Sequence, residues 1–333
     1  MEDSDTSLLC QETVYTLNMA EEEDVDKENI GLGCAPIWFG EDEGEYIENL
    51  IRREAVHELG GSGSRSSPFG HLMESNLWWR QARLDSIEWI LSARSFLGFH
   101  YRTAYLAVTY IDRFIAKRTI GDGKLWAVEL LSVACLSLAA KMEECDVPGL
   151  SSFPAQKYEF ESRVITKMEL LILHTLNWKM GSITPFSYLE FFIDKLSGRP
   201  EGRDLFLDAV ELVFAASKEI NLVDCRPSII AAAAVLASSS SAPLTRKAVE
   251  LKTRVVSSWG SQHHECVFSC YILMLGLKKR WENKTPRERL LPLSMGTFRN
   301  SPSLRSASGS LKRRLQFISN SDPIPPNKKA NNQ

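Results

Sequence analysis

The segment LWAVELLSVACLSLAAKMEECDVP, Leu125 to Pro148, decides how the rest of the chain is read. From Ala127 to Ala140 it carries one charge, Glu129, and small residues (Ala134, Ser137, Ala139, Ala140) alternate with large ones (Leu131, Val133, Leu136, Leu138). A helix apolar almost all round has no face left for water and must be buried on nearly every side. The pattern therefore predicts a central helix rather than a surface one. Its apolar stretch of about 14 residues is expected to fall short of the roughly 20 that cross a bilayer. The run ends abruptly at Lys141, Glu143 and Glu144, and Pro148 forbids continuation. Charged side chains are thus expected where a buried rod reaches the surface.

A chain of 333 residues, 44 % of them apolar, has room for about two domains of roughly 150 residues and a sizeable core. The net charge of -3 hides an asymmetry. Residues 1–50 hold 15 Asp and Glu against one Lys, whereas residues 283–333 hold 10 Lys and Arg against two acids. Both ends read as solvated arms around a nearly neutral core. The seven cysteines are odd in number and scattered, and one of them, Cys135, lies in the central apolar helix; this predicts reduced thiols in an intracellular protein. The opening MEDSDTS has neither a basic region nor an apolar run, so no secretory signal is expected, and no membrane span.

Residues 1–44 are acidic and poor in large apolar groups, which predicts a disordered arm. Within it, Leu8-Leu9-Cys10-Gln11-Glu12 would, if extended, point Leu8, Cys10 and Glu12 one way at intervals of about 6.6–6.8 Å. That is a short recognition strip of two apolar plugs and a carboxylate. Residues 45–70 read as an amphipathic helix, with Tyr46, Ile47, Leu50, Ile51 and Val56 on its docking face, followed by the flexible linker GGSGSRSSP. Further helices are expected over Trp78–Ala93, with Leu84, Ile87, Ile90 and Leu91 inward, and over Thr103–Lys117. Asp112 and Arg113 sit on different faces of the latter and would tie it to its neighbours. Ile120–Gly123 reads as a turn. Val147–Tyr158 is broken by Pro148, Gly149 and Pro154, and the next helix, Phe160–Leu176, places Val164, Met168, Leu171, Ile172 and Leu176 in the core.

Five more helices are predicted between Phe186 and Glu282, and the run Ile229–Ala237 repeats the small-residue character of the first central helix. The chain thus reads as two five-helix units, each around an alanine-rich rod. His263, His264, Cys266 and Cys270 invite a metal reading, but one helix rarely wraps four ligands tetrahedrally round zinc, so these residues are assigned to packing and no metal or cofactor is expected. No Gly-rich phosphate loop and no nucleophile elbow stands on a plausible element, so no enzyme activity is expected. Lys312-Arg313-Arg314 and Lys328-Lys329 look like a nuclear-import signal, which places the protein in the nucleus as well as the cytoplasm. With only two Phe in the tail there is no stacking platform for specific nucleic acid. Ser67, Thr285 and Ser301 each precede Pro, the minimal context for proline-directed phosphorylation.

Four ordered stretches, RLDSIEWIL (Arg83–Leu91), TYIDRFI (Thr109–Ile115), LLSVACLSLAAKMEE (Leu130–Glu144) and KMELLILHTLNW (Lys167–Trp178), resemble a cyclin box, and the chain from about residue 75 to 283 resembles the plant D-type cyclins. The resemblance implies an all-α fold of two tandem five-helix cyclin boxes, residues 71–180 and 181–283, between the acidic arm and the basic tail 284–333. It implies a regulatory subunit that activates a cyclin-dependent kinase, directs it to a retinoblastoma-type pocket protein and promotes G1/S progression, with a kinase inhibitor as a further partner. Lys141, Glu143, Glu144 and Glu169 match the kinase-gripping positions, and Leu8, Cys10 and Glu12 match the LxCxE motif for pocket proteins. In cyclins the N-terminal helix also packs against the box and helps contact the kinase. Arg83, Leu84 and Trp89 fall where cyclins carry a docking groove for RxL peptides; Ala82, Leu84, Asp85 and Ser86 replace its usual core, and an Asp in an apolar patch costs desolvation. The tail's own Arg313-Arg314-Leu315-Gln316-Phe317 fits the RxLxF form of a peptide for such a groove. The alternatives are a double-cyclin-fold transcription factor and a non-catalytic helical scaffold.

Overall fold

The structure, a computed structural model, describes residues 43–59, 75–197, 202–240, 242–282 and 317–319. The strip Leu8, Cys10 and Glu12, the Gly/Ser linker, Ser67, Thr285, Ser301, the cluster Lys312, Arg313, Arg314 and Leu315, and Lys328-Lys329 lie outside the described residues. The fold is all-α, with ten helices among the described residues: α1 (Glu43–Leu59), α2 (Leu77–Leu97), α3 (Tyr101–Lys117), α4 (Leu125–Glu143), α5 (Ser162–Thr175), α6 (Phe186–Ser197), α7 (Gly202–Ser217), α8 (Pro227–Ser239), α9 (Arg246–Thr253) and α10 (Ser261–Glu282).

α4 is the rod of the first bundle, packed by α2, α3 and α5. All fourteen residues from Ala127 to Ala140 are buried. At 19 residues the helix is longer than its apolar run suggested, long and apolar enough to cross a membrane, yet 78 % of that span is buried inside the bundle, which marks it as a core helix. Its one interior charge is used: Glu129 Oε1 accepts the backbone N–H groups of Gln156 (3.2 Å), Lys157 (2.9 Å) and Tyr158 (3.1 Å), fixing the α4–α5 connection to the rod. In that connection Pro148 and Pro154 leave room only for a three-residue 3-10 turn, Leu150–Ser152. α2 begins on Asn76, whose side chain accepts from Trp78 N and Trp79 N, and ends on Gly98 at φ 72°, a left-handed cap that favours glycine.

The second bundle repeats the plan around α8, packed by α6, α7 and α10, with Ser228–Ala237 buried. Pro227 sits in its first turn, where the missing N–H costs nothing. α1 docks on this second bundle. Ile47, Leu50 and Ile51 are buried, while Tyr46, expected on the docking face, is exposed. Two carboxylates of α1 close onto backbone N–H groups: Glu54 accepts from Ser228 N (3.0 Å) and Oγ (2.7 Å), and Glu48 accepts from Ser257 N, Ser257 Oγ and Ser258 N. Burial pushes the Glu54 carboxyl above its usual range despite the Ser228 bonds. Burial also works against Glu48, but the bonds from Ser258 and Ser257 outweigh it and hold that carboxyl low.

The bundles meet through tilted and edge-on rings, with Tyr101 and Tyr105 of α3 against Phe186 of α6 and Phe214 of α7 at centroid distances of 5.7–6.2 Å. The connection between the bundles is clamped by α3: Tyr110 donates its hydroxyl to Met180 O (2.8 Å), and Arg113 donates to Lys179 O (2.6 Å) and Ser182 Oγ (3.0 Å). The segment read as beginning a turn at Ile120 is instead extended over β1 (Arg118–Ile120). It pairs antiparallel with β2 (Phe317–Ser319) in the register Arg118↔Ser319, Thr119↔Ile318, Ile120↔Phe317.

Candidate functional site

The last turn of α4 carries Lys141 out of the core, and α5, packed alongside, presents Glu169 toward it. Lys141 Nζ donates to Glu169 Oε1 at 2.7 Å. The pair is lopsided: the carboxylate is 6 % exposed and the ammonium 46 %. A charge-assisted bond of this length fixes both side chains while leaving a positive group facing solvent. Burial of the neighbouring α5 positions Ile165, Met168 and Ile172 sets the rotation of the helix, so Glu169 is held by the core rather than by its own rotamer choice.

Exposed apolar side chains stand next in sequence to the two charges and past the end of α5. Met142 and Leu170, the chain neighbours of the two charges, are each 53 % exposed, and Trp178 beyond the end of α5 is 65 % exposed. Val164, expected in the core, is also exposed, because the inward stripe of α5 runs through Ile165 instead. Arg163, Lys167, Leu170 and His174 line the outer face at helical spacing, all exposed. Trp178 is positioned by an unusual backbone. Asn177 (φ 54°) and Trp178 (φ 60°) are consecutive left-handed residues, a conformation costing about 1–3 kcal/mol each in non-glycine residues. Trp178 N closes the helix end on Leu173 O (2.8 Å). Sequence periodicity misses Trp178 because it lies past the helix; the Asn before it, a residue that tolerates this conformation, is the only signal.

The other expected residues are distributed differently. Glu144 is turned inward, 6 % exposed, and caps α3, accepting from His100 N (2.7 Å), from the His100 ring and from the Thr103 hydroxyl. Glu143 faces solvent, but crowding of its carboxyl by burial, reinforced by Glu144, raises it above its usual range against the pull of Arg102 and His100. Arg83 does not line an open groove. Its guanidinium is buried and grips Asp112 of α3 through two bonds, Nε–Oδ1 2.7 Å and Nη2–Oδ2 2.8 Å, because a cation on the inward face of α2 must find a carboxylate. Trp89 is likewise buried, Leu84 is half-buried, and Asp85 sits at the surface accepting from Gln81 rather than inside an apolar patch. His263 stacks on Trp259 and contacts Arg226, while His264 contacts Thr253. Among the described residues no group of three His, Cys, Asp or Glu is arranged to hold a metal ion.

Two helical bundles, each around a buried alanine-rich rod, with a lysine and a glutamate paired at the end of the first rod, define a cyclin. The fold agrees with a solved viral cyclin from herpesvirus saimiri at TM-score 0.50 and 15 % identity, covering 70 % of this chain and 99 % of that one. Residues 64–181 match the family "Cyclin, N-terminal domain". Cyclin-D5-1 of Arabidopsis thaliana is 37 % identical over 98 % of this chain and 97 % of its own length. Cyclin-D5-2 of Oryza sativa subsp. japonica is 43 % identical over 60 % of this chain and 58 % of its own. The chain belongs to the plant D-type cyclins. It is therefore a regulatory subunit of a cyclin-dependent kinase and not itself a catalyst.

Proposed function

We propose that the kinase docks on the α4–α5 face around Lys141–Glu169, and that the complex is directed by Leu8, Cys10 and Glu12 to retinoblastoma-type pocket proteins, promoting G1/S progression in the nucleus. The observation that carries this is the Lys141–Glu169 pair, 2.7 Å long, on two helices where Met142 and Leu170, next in sequence to the two charges, are exposed. Kinase activity requires the β3 lysine to pair with the glutamate of the kinase's regulatory helix. A rigid partner surface pressed on that helix holds it in place. Apolar area and a Trp anchor supply affinity, and the fixed charges set register. Of the four acidic and basic residues assigned to this role, Lys141 and Glu143 are at the surface, Glu169 is buried and holds Lys141 in place, and Glu144 holds the end of α4 against α3.

The test is activation of a purified cyclin-dependent kinase on a pocket-protein substrate by wild type and by Lys141→Glu. The expected result is strong stimulation by wild type and at least a tenfold loss in the variant. A wild-type chain that neither binds nor stimulates such a kinase overturns the reading. In parallel, Cys10→Ala with Glu12→Ala is expected to abolish pocket-protein capture while leaving kinase binding intact; unchanged capture refutes the arm's role.

A further inference from the structure

α1 is held on the second bundle by two polar anchors of unequal accessibility. Glu54 closes on Ser228, which is fully buried at the start of α8. Glu48 closes on Ser257 and Ser258, both exposed in the turn between α9 and α10. We propose that Ser257 is a phosphorylation site for a basophilic serine/threonine kinase, one that selects cations ahead of the acceptor hydroxyl, and that the phosphate releases α1 from the second bundle.

Three observations carry the assignment. The first is geometric: Ser257 donates both its N–H and its hydroxyl to Glu48 Oε1 at 2.8 Å, and Ser258 N reaches the same oxygen at 3.2 Å. A phosphoryl group on Oγ removes the hydroxyl donor and sets a charge of about −1.5 to −2 against a carboxylate in contact. Burial opposes ionisation of Glu48, but the bonds from Ser258 and Ser257 outweigh it, so that carboxylate is charged at neutral pH and the repulsion is full. The second is the approach to the hydroxyl. Lys252 and Arg254 stand five and three residues ahead of it, both exposed, and Arg254 is tied to Glu250 by a surface pair that exchanges readily for an acidic cleft. The third is the turn itself. It is closed by the short-range bonds Val256 N–H to Thr253 O and Trp259 N–H to Val256 O, each 3.2 Å, and seated by the buried Val256 and Trp259. A segment held this locally opens without unfolding the bundle, and the kinase reads it in the open form.

In the transfer, Ser257 Oγ attacks the γ-phosphorus of ATP and the bond from that phosphorus to the β–γ bridging oxygen breaks. ADP leaves, and the hydroxyl proton passes to the kinase's catalytic carboxylate. The phosphate then acts against what remains of the seat, Glu54 and the buried Ile47, Leu50 and Ile51, so the first half of α1 loosens before the second. The inference rests on the seat of α1, not on the Lys141–Glu169 face, and its failure leaves that reading untouched.

The experiment treats the full-length chain with a purified basophilic kinase and ATP, beside a synthetic peptide of residues 249–262. Tandem mass spectrometry is expected to place the phosphate on Ser257. Hydrogen exchange in residues 43–54 is expected to run at least tenfold faster in the phosphorylated chain, with α8 amides unchanged. Ser257→Glu should reproduce the release at least threefold, whereas Ser257→Ala, which leaves both N–H donors to Glu48, should stay within twofold of wild type. Glu48→Lys combined with Ser257→Glu turns repulsion into attraction and should restore protection, which a merely disrupted turn would not. Ser257 left unmodified in the chain, with or without modification of the peptide, overturns the proposal, as does phosphate on Ser258 in its place. So does exchange in α1 that phosphate leaves unchanged, acceleration that extends into α8, or a double variant that does not recover.

Discussion

Exchanging the two charges of the central pair separates its structural role from recognition. In Lys141→Ala the Glu169 carboxylate, 6 % exposed, loses its partner. Breaking a fully buried pair costs about 3–5 kcal/mol, whereas an exposed pair contributes about 0.2–1 kcal/mol. With one partner buried and the other half in water, the loss should lie between, at about 2 kcal/mol. For a chain of this size that lowers Tm by roughly 4–8 °C. The double exchange Lys141→Glu with Glu169→Lys restores opposite charges across the same 2.7 Å gap but inverts the sign that faces solvent. Its stability is expected to recover at least half of the loss, while kinase binding, read by calorimetry, stays at least tenfold weaker than wild type. Recovery of both stability and binding would mean that the pair only braces α4 on α5, and the recognition argument would fail. No stability loss in Lys141→Ala would refute the premise that Glu169 depends on it.

Three further outcomes follow from the geometry. Trp178→Gly relieves a left-handed residue and should raise stability by about 1 kcal/mol in thermal unfolding while weakening kinase binding, two effects of opposite sign that a merely destabilising change cannot produce. Glu129→Leu leaves the amides of Gln156, Lys157 and Tyr158 without their acceptor; exchange there should accelerate and stability drop by about 2–4 kcal/mol, the low end if water enters the connection. The two carboxylates of α1 should respond to pH in opposite senses. The Glu48 carboxyl is lowered, so its contribution is present above its ordinary value of 4.5 and is lost as pH falls through the lowered value; that of Glu54 is raised, so its ionisation weakens docking as pH rises from 4.5 through the raised value. At pH 7, Glu48→Gln should therefore loosen α1 to limited proteolysis and Glu54→Gln should not; the reverse order would contradict the assignment.

The two rods were legible in the sequence because a helix without a polar face has one physical solution. The companion of Lys141 came from the resemblance and not from spacing: Lys141 and Glu169 are 28 positions apart, and nothing in periodicity says that α5 packs against α4 with that rotation. Faces were misread where one helical position decides in or out, as with Tyr46 and Val164, both exposed. Arg83 and Trp89 carried the right identities for a docking groove, but the direction of Arg83 is set by Asp112 on a different helix, which local sequence does not encode. Trp178 escaped because its exposure is a property of backbone dihedrals rather than of residue pattern.

The rings that join the bundles bear on how the chain comes apart. Tyr101 and Tyr105 belong to the first repeat and rest on Phe186 and Phe214 of the second, while α3 also grips the connection through Tyr110 and Arg113. A fragment cut at Gly181 would carry this aromatic seam into water and lose the clamp as well. The repeats share a plan but not a melting transition: heat should dismantle both at once, and neither half should survive as a free-standing module.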